Sequence, residues 1–242
     1  MGIESVTELE LLWGVLGLIS TALAIIIGLK VIWKYFSSRR VEVISAGFMI
    51  IFATSGWWVS LSSIWIYIFF GIELPLETWF LFQAITPITT ILWIYTFTYL
   101  LYPKSKWKIV GIIVAITLVW EIFFIIYIFT DPSLIGTKVS KFDLQYSFFV
   151  FGFVIFTLII SIITNIIFLR QSLISDSKTV RWRGIFIFTS TMLFIIGAFL
   201  DTGIPLNPIS LLITRSILFL SAVFAYFGWV MPDWIKRRLI KE

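Results

Sequence analysis

Arg215 and Glu121 are ionisable side chains set deep within apolar runs, in "LLITRSILFLSAVFAYFGW" and "TLVWEIFFIIY". Asp201 ends the run before Arg215, in "FLDTGIPLNP". An unpaired charge at the centre of a membrane helix costs about 2.5–3.5 kcal/mol on insertion scales, so such groups turn inward and meet a counter-charge or water. Asp201 is the topologically easier partner for Arg215. Glu121 would lie across the bundle, with water or a ligand between it and the guanidinium. An anionic ligand that replaced the acid beside Arg215 would supply the differential contact that switching between two helix arrangements requires. Two plainer readings stay open: a purely structural ion pair, or a side chain that snorkels to the interface. The chain has no His and no Cys, which removes the commonest metal ligand and general base together with thiol, disulfide and iron–sulfur chemistry. It also lacks a Gly-x-Ser-x-Gly elbow and an intramembrane aspartyl pair. No enzyme activity, cofactor or metal is expected.

Further polar groups point to the same interior. Gln83, Thr86, Thr90, Trp93 and Phe97 recur at three and four residues, which puts them on one helical face. Trp57 stands in "ATSGWWVSLSSIW" among small hydroxyl residues suited to helix–helix hydrogen bonds. An aromatic-lined pocket with a few placed polar groups is the usual build of a small-ligand site, and the expected ligand-binding set is Arg215, Glu121, Asp201, Gln83, Trp57 and Thr86. Pro87 should interrupt its helix and leave a fixed bend. Ser161 and Asn165, one turn apart, read as contacts between helices.

The elements that must carry these residues are membrane helices. Sixty per cent of the 242 residues are hydrophobic and 13% are charged, which no soluble domain of this size could hide. A bilayer core of about 30 Å needs roughly 20 apolar residues per helix. That window gives seven spans, at about 11–35, 43–70, 78–102, 107–130, 146–169, 183–202 and 206–231. A membrane β-barrel would alternate in segments of about ten residues, whereas "VIFTLIISIITNIIF" is apolar on every side. The expected fold is an all-α integral membrane protein, a seven-transmembrane-helix bundle in one domain over residues 1–242. The first run is too long for a signal peptide and follows Glu4, Glu8 and Glu10 instead of a basic region, so it is expected to remain as a span.

Charge gives the orientation. Lys30, Lys34, Arg39 and Arg40 follow the first span, Lys104, Lys106 and Lys108 the third, Arg170, Lys178, Arg181 and Arg183 the fifth, and Lys236, Arg237, Arg238 and Lys241 the seventh. Only Lys138 and Lys141 fall on the other side, among mostly acidic residues. The positive-inside rule then places the N-terminus outside and the C-terminus in the cytoplasm. The net charge of +5 is explained by this bias, so no nucleic-acid partner is expected. The bilayer is the expected partner, with Trp234 and the basic tail suited to its interface, and the expected localisation is the cell membrane, multi-pass.

Seven helices with this orientation occur in microbial rhodopsins and G-protein-coupled receptors, but no lysine stands in the last helix for a retinal imine and no acidic–Arg–aromatic triplet ends the third. No Pro-Gln pair supports a proline–glutamine loop sugar transporter. The stretch "GAFLDTGIPLNPISLLITRSILFLSAVFAYFGWVMPDWIKRR", about 55 residues with its flanks, resembles the seven-helix N-terminal sensor regions of prokaryotic histidine kinases and their stand-alone archaeal relatives. The matching positions are Asp201, Arg215, Tyr226, Gly228 and Pro232. The resemblance implies a receptor-like or sensor-like module that binds a small-molecule or lipid ligand in an outward-facing pocket. It departs from the pattern in having no output domain after residue 242, so the effector would be a separate cytoplasmic protein. The alternative reading is a small transporter or channel with Glu121 as the coupling carboxylate. A structural subunit of a larger membrane complex is the plainest.

Overall fold

The computed structural model describes residues 6–203 and 207–239. Glu4 and Lys241, counted above in the charge pattern, lie outside them. The chain is all-α, about 82% helical. Helix α1 (Glu8–Trp33) starts at a reciprocal cap, in which Glu10 N donates to Thr7 Oγ1 and Thr7 N donates to Glu10 Oε2. After the short α2 (Tyr35–Ser38) come α3 (Val41–Phe52) and α4 (Ser55–Phe70), bent by 43° at their junction. Helices α5 (Leu76–Gln83) and α6 (Ile88–Leu101) follow, separated at residues 84–87, and then α7 (Lys106–Thr130). A 3₁₀ turn leads into strands β1 (Gly136–Lys138) and β2 (Leu144–Tyr146), which pair antiparallel with Thr137 opposite Gln145. The chain ends with α8 (Phe148–Leu173), α9 (Lys178–Gly203), α10 (Pro208–Trp229) and α11 (Asp233–Leu239).

Six helices, counting α5–α6 as one, are long and apolar enough to cross a membrane, and the bent pair α3–α4 gives a seventh if taken as one span. Helices α7 and α8 leave most of their apolar surface exposed, as in Ile116, Val119, Ile122, Ile155, Ile159 and Ile163. Such faces suit hydrocarbon, and the pattern is that of a multi-pass membrane protein. The helices follow the expected runs closely. The main differences are that α9 begins at Lys178 instead of near residue 183, and that the run 43–70 is broken at Ala53–Thr54, where no proline marks it. The β-hairpin is a third feature that the apolar pattern did not announce.

The helices form a closed circuit: α1 packs on α3 and α4, α3 on α6, α6 on α8, α8 on α9, α9 on α10, and α10 closes back on α1, with α7 seated on α5 and α6. Small residues set the tightest contact. The buried face of α1 carries Gly14, Gly17, Thr21, Ala24 and Gly28, the spacing that lets two backbones approach. A Cβ on Gly28 would stand 2.7 Å from the Gly47 carbonyl oxygen, and one on Gly47 would stand 2.6 Å from that of Gly28. Hydrogen bonds stitch several other pairs. Ser45 Oγ donates to Leu92 O, and Trp93 Nε1 donates to Thr164 Oγ1 at 2.7 Å. Asn165 Oδ1 accepts from Thr191 Oγ1, while its Nδ2 donates to Ser161 O. Ser190 and Ser221 donate to one another's carbonyls, each at 2.9 Å. Asn165 thus bridges α8 and α9 as its polarity implied, whereas Ser161 contributes only a carbonyl within its own helix.

Candidate functional site

Arg215 lies seven residues into α10, about 10 Å along the axis. Helical side chains lean towards the N-terminus, and the N-terminus of α10 adjoins the C-terminus of α9. The guanidinium therefore rises to Asp201, two residues before α9 ends. Arg215 Nη2 is 3.0 Å from Asp201 Oδ1 and 3.2 Å from Oδ2. Both side chains are nearly sealed, with 5% and 7% of their surface exposed. Asp201 gains nothing from the dipole of its own helix, whose C-terminus repels an anion. Its charge is balanced by Arg215 and by Trp57, whose Nε1 donates to Oδ2 at 2.6 Å.

Trp57 reaches the acid from the first turn of α4, just past the break at Ala53–Thr54. Thr54 Oγ1 donates to Ile51 O and accepts from Trp58 Nε1, which satisfies a carbonyl at the break. One turn into α4, the Trp57 ring meets Phe194 of α9 edge-on at 6.0 Å and also lies 5.8 Å from the guanidinium carbon of Arg215. Trp13 of α1 covers that carbon at 5.7 Å. Two indoles thus flank the cation, a geometry that attracts charge to ring faces.

Gln83 and Thr86 adjoin the same turn of α4. Thr86 Oγ1 accepts from Ser55 Oγ at 3.2 Å. Gln83 Nε2 would lie 3.8 Å from a Cβ placed on Gly56, so the glycine before Trp57 lets the amide close in. The predicted face of the third span is indeed inward, with Gln83, Thr90, Trp93 and Phe97 all buried. Five of the six expected site residues therefore stand in or beside one neighbourhood: Arg215, Asp201, Trp57, Gln83 and Thr86.

Glu121 stands apart. Its helix α7 packs chiefly on α6 and α5, whereas α10 packs on α9 and α1, and no contact among the described residues joins Glu121 to Arg215. It sits beside Trp120, whose ring stacks on Phe153 and Phe149 of α8 at 4.1 and 5.5 Å. Glu121 is expected across the bundle from Arg215, with water or a ligand between the two, and the described residues show no direct contact between them. Trp13, Phe194 and Ser55 are the members that sequence reasoning passed over. Trp13 had a legible signal: it is an aromatic residue near the start of the first span, at roughly the depth of Arg215, and a sequential ring makes the first and last spans neighbours.

The cluster retains unused hydrogen-bonding capacity. Among the described residues, Arg215 Nε and Gln83 Oε1 are buried without a hydrogen-bond partner, and so is Glu121 Oε2 in its separate setting. Buried polar atoms are almost always satisfied, so each such atom calls for an explanation. No group of three or more acidic ligands that could hold a metal ion occurs among the described residues. Comparison with protein-family models and with curated proteins finds no match to this chain.

Proposed function

We propose that this chain is a seven-span, sensor-like membrane protein with its hairpin end outside and its basic end in the cytoplasm. A small or lipid-derived anionic ligand enters from the hairpin end, competes with Asp201 for Arg215, and so changes the packing of α9 and α10 that a separate cytoplasmic effector reads. The observation that carries this reading is the incomplete satisfaction of the guanidinium: Asp201 engages it through Nη2 while Nε, buried beside two indoles, lacks a hydrogen-bond partner among the described residues. A guanidinium has five donors in a planar fork, suited to bidentate carboxylate binding. A ligand carboxylate could use what Asp201 leaves.

Tryptophan fluorescence tests this directly, since Trp13 and Trp57 flank the cation. Titration of the purified protein with a panel of short-chain and fatty carboxylates should give a saturable change for at least one member. Arg215→Leu should abolish it while cooperative thermal unfolding persists. No saturable response to any carboxylate would return Arg215–Asp201 to a purely structural role.

A second reading rests on Glu121, whose Oε2 is buried and unpartnered among the described residues. Intramembrane carboxylates of this kind serve as coupling groups in transporters and channels. Proteoliposome flux separates the two: proton or cation movement lost in Glu121→Gln favours transport, and carboxylate binding without flux favours sensing.

A further inference from the structure

At the opposite end of the bundle from Arg215, a cavity of about 450 Å³ opens where α1, α9 and the C-terminal helices meet. Its charged lining consists of Lys34, Arg183 and Lys236 against a single acid, Asp233, with the hydroxyls of Ser37 and Thr179 beside them. The cations are poorly compensated. None of the three makes an ion pair among the described residues, while the nearby Arg40 is already matched to Glu42 at 2.5 Å. Arg183 Nε is buried without a hydrogen-bond partner among the described residues. Lys34 Nζ donates to the carbonyls of Trp229 and Val230, which fixes its ammonium at the rim.

The backbone builds this cavity at some cost. After α10 the chain turns through Met231 at a φ of 51°, in the left-handed region where a side chain with a Cβ is disfavoured. Met231 is nonetheless buried, and Pro232 follows it as the start of the turn into α11. The turn brings Lys236 into the cavity that Arg183 and Lys34 also line, so three separate stretches of chain deliver one cation each. Solvent relieves the mutual repulsion of three cations only in part, whereas a tetrahedral oxyanion offers each a charge-assisted hydrogen bond.

We propose that this cavity is a binding site for a phosphate group, held by Arg183, Lys34 and Lys236 with Thr179 as a neutral donor, the Ser37 hydroxyl being engaged by the Lys34 carbonyl. The group is carried either by an anionic lipid headgroup or by a free anion. This site is independent of the carboxylate reading of Arg215, and the variants below leave Arg215 intact.

The test uses the full chain in an uncharged detergent. It is exposed separately to inorganic phosphate and to dioleoyl phosphatidic acid in mixed micelles, with dioleoyl phosphatidylcholine as the zwitterionic reference. Native mass spectrometry and thermal shift report retention. Phosphatidic acid should be retained about tenfold over phosphatidylcholine, and Arg183→Gln and Lys236→Gln should each erase most of that preference while Lys104→Gln, a basic residue away from the cavity, leaves it unchanged. Lys236 is exposed on α11, so its variant keeps the test valid where Arg183→Gln fails to fold. A saturable stabilisation by inorganic phosphate, lost in the same variants, identifies a free anion as sufficient; a response to the lipid alone identifies the headgroup. Absence of preference for either phosphate probe, or an equal loss in Lys104→Gln, overturns the proposal.

Discussion

Arg215 and Trp57 share one carboxylate: the guanidinium approaches both oxygens of Asp201, and the indole N–H donates to Oδ2 at 2.6 Å. Removing one member of a buried ion pair leaves the other uncompensated, a loss of about 3–5 kcal/mol, whereas replacing both with apolar groups is often close to neutral. Arg215→Leu and Asp201→Leu should therefore each lower thermal stability strongly, and the double variant should recover most of it. Differential scanning fluorimetry on the three proteins checks the order. A double variant as unstable as the sum of the singles would show that the two groups do not compensate one another.

Trp57 and Trp13 both cover the guanidinium, but only Trp57 donates to the acid. A hydrogen bond to a charged group contributes about 1.5–3 kcal/mol, and phenylalanine keeps the ring while losing the donor. Trp57→Phe should thus be clearly more destabilising than Trp13→Phe. Equal melting temperatures for the two variants would remove the N–H to carboxylate contact from the account.

Glycines divide by position. Gly47→Ala drives a methyl into the Gly28 carbonyl and the Ile32 side chain, an overpacking cost of about 1–3 kcal/mol. Around Gly111 and Gly152 nothing lies within 4 Å, so Gly111→Ala and Gly152→Ala should be neutral or stabilising by up to about 1 kcal/mol through helix propensity. Melting temperatures in one detergent make the comparison.

Lys141 fastens the hairpin to the end of α4. Its ammonium donates to the Tyr67 hydroxyl at 2.9 Å and lies 3.8 Å from Glu73. The hydrogen bond to Tyr67, reinforced by nearby negative charge, holds this exposed amine above its ordinary range. A raised folded value means that the folded state keeps the proton longer, so the contribution is complete below the unfolded lysine value of about 10.4 and disappears as pH rises through the folded one. The difference in melting temperature between wild type and Lys141→Met should be constant from neutral pH to about 10 and shrink above it.

Much of this was legible in the sequence because burying charge is so costly. Two charged residues close together near the ends of consecutive spans had few alternatives to pairing, and Arg215 and Asp201 pair. Gln83 and Thr86 were readable from their shared helical face, which continues through Thr90 and Trp93 despite the interruption at Pro87. Sequential order puts Glu121 across the bundle from Arg215, and α7 packs chiefly on α6 and α5; what sequence did not supply was the carboxylate's own neighbours. Depth along a helix follows from counting residues, but which neighbours a side chain meets depends on how the ring closes, and α7 lies on the far side of it. The break at Ala53–Thr54 was hidden for another reason: Ala, Thr and Ser all tolerate a helix, so only tertiary packing reveals that the run is divided.

The two interruptions, between α3 and α4 and between α5 and α6, differ in what it would take to remove them. At Pro87 the missing amide hydrogen is covalent fact, and no rearrangement of neighbours can restore the ladder there. At Ala53–Thr54 every residue keeps its amide; the Thr54 hydroxyl donates to Ile51 O and accepts from Trp58, and Trp57, just past the 43° bend, donates to a carboxylate on α9. Nothing covalent therefore keeps α3 and α4 from joining into one continuous rod, an option closed to α5 and α6.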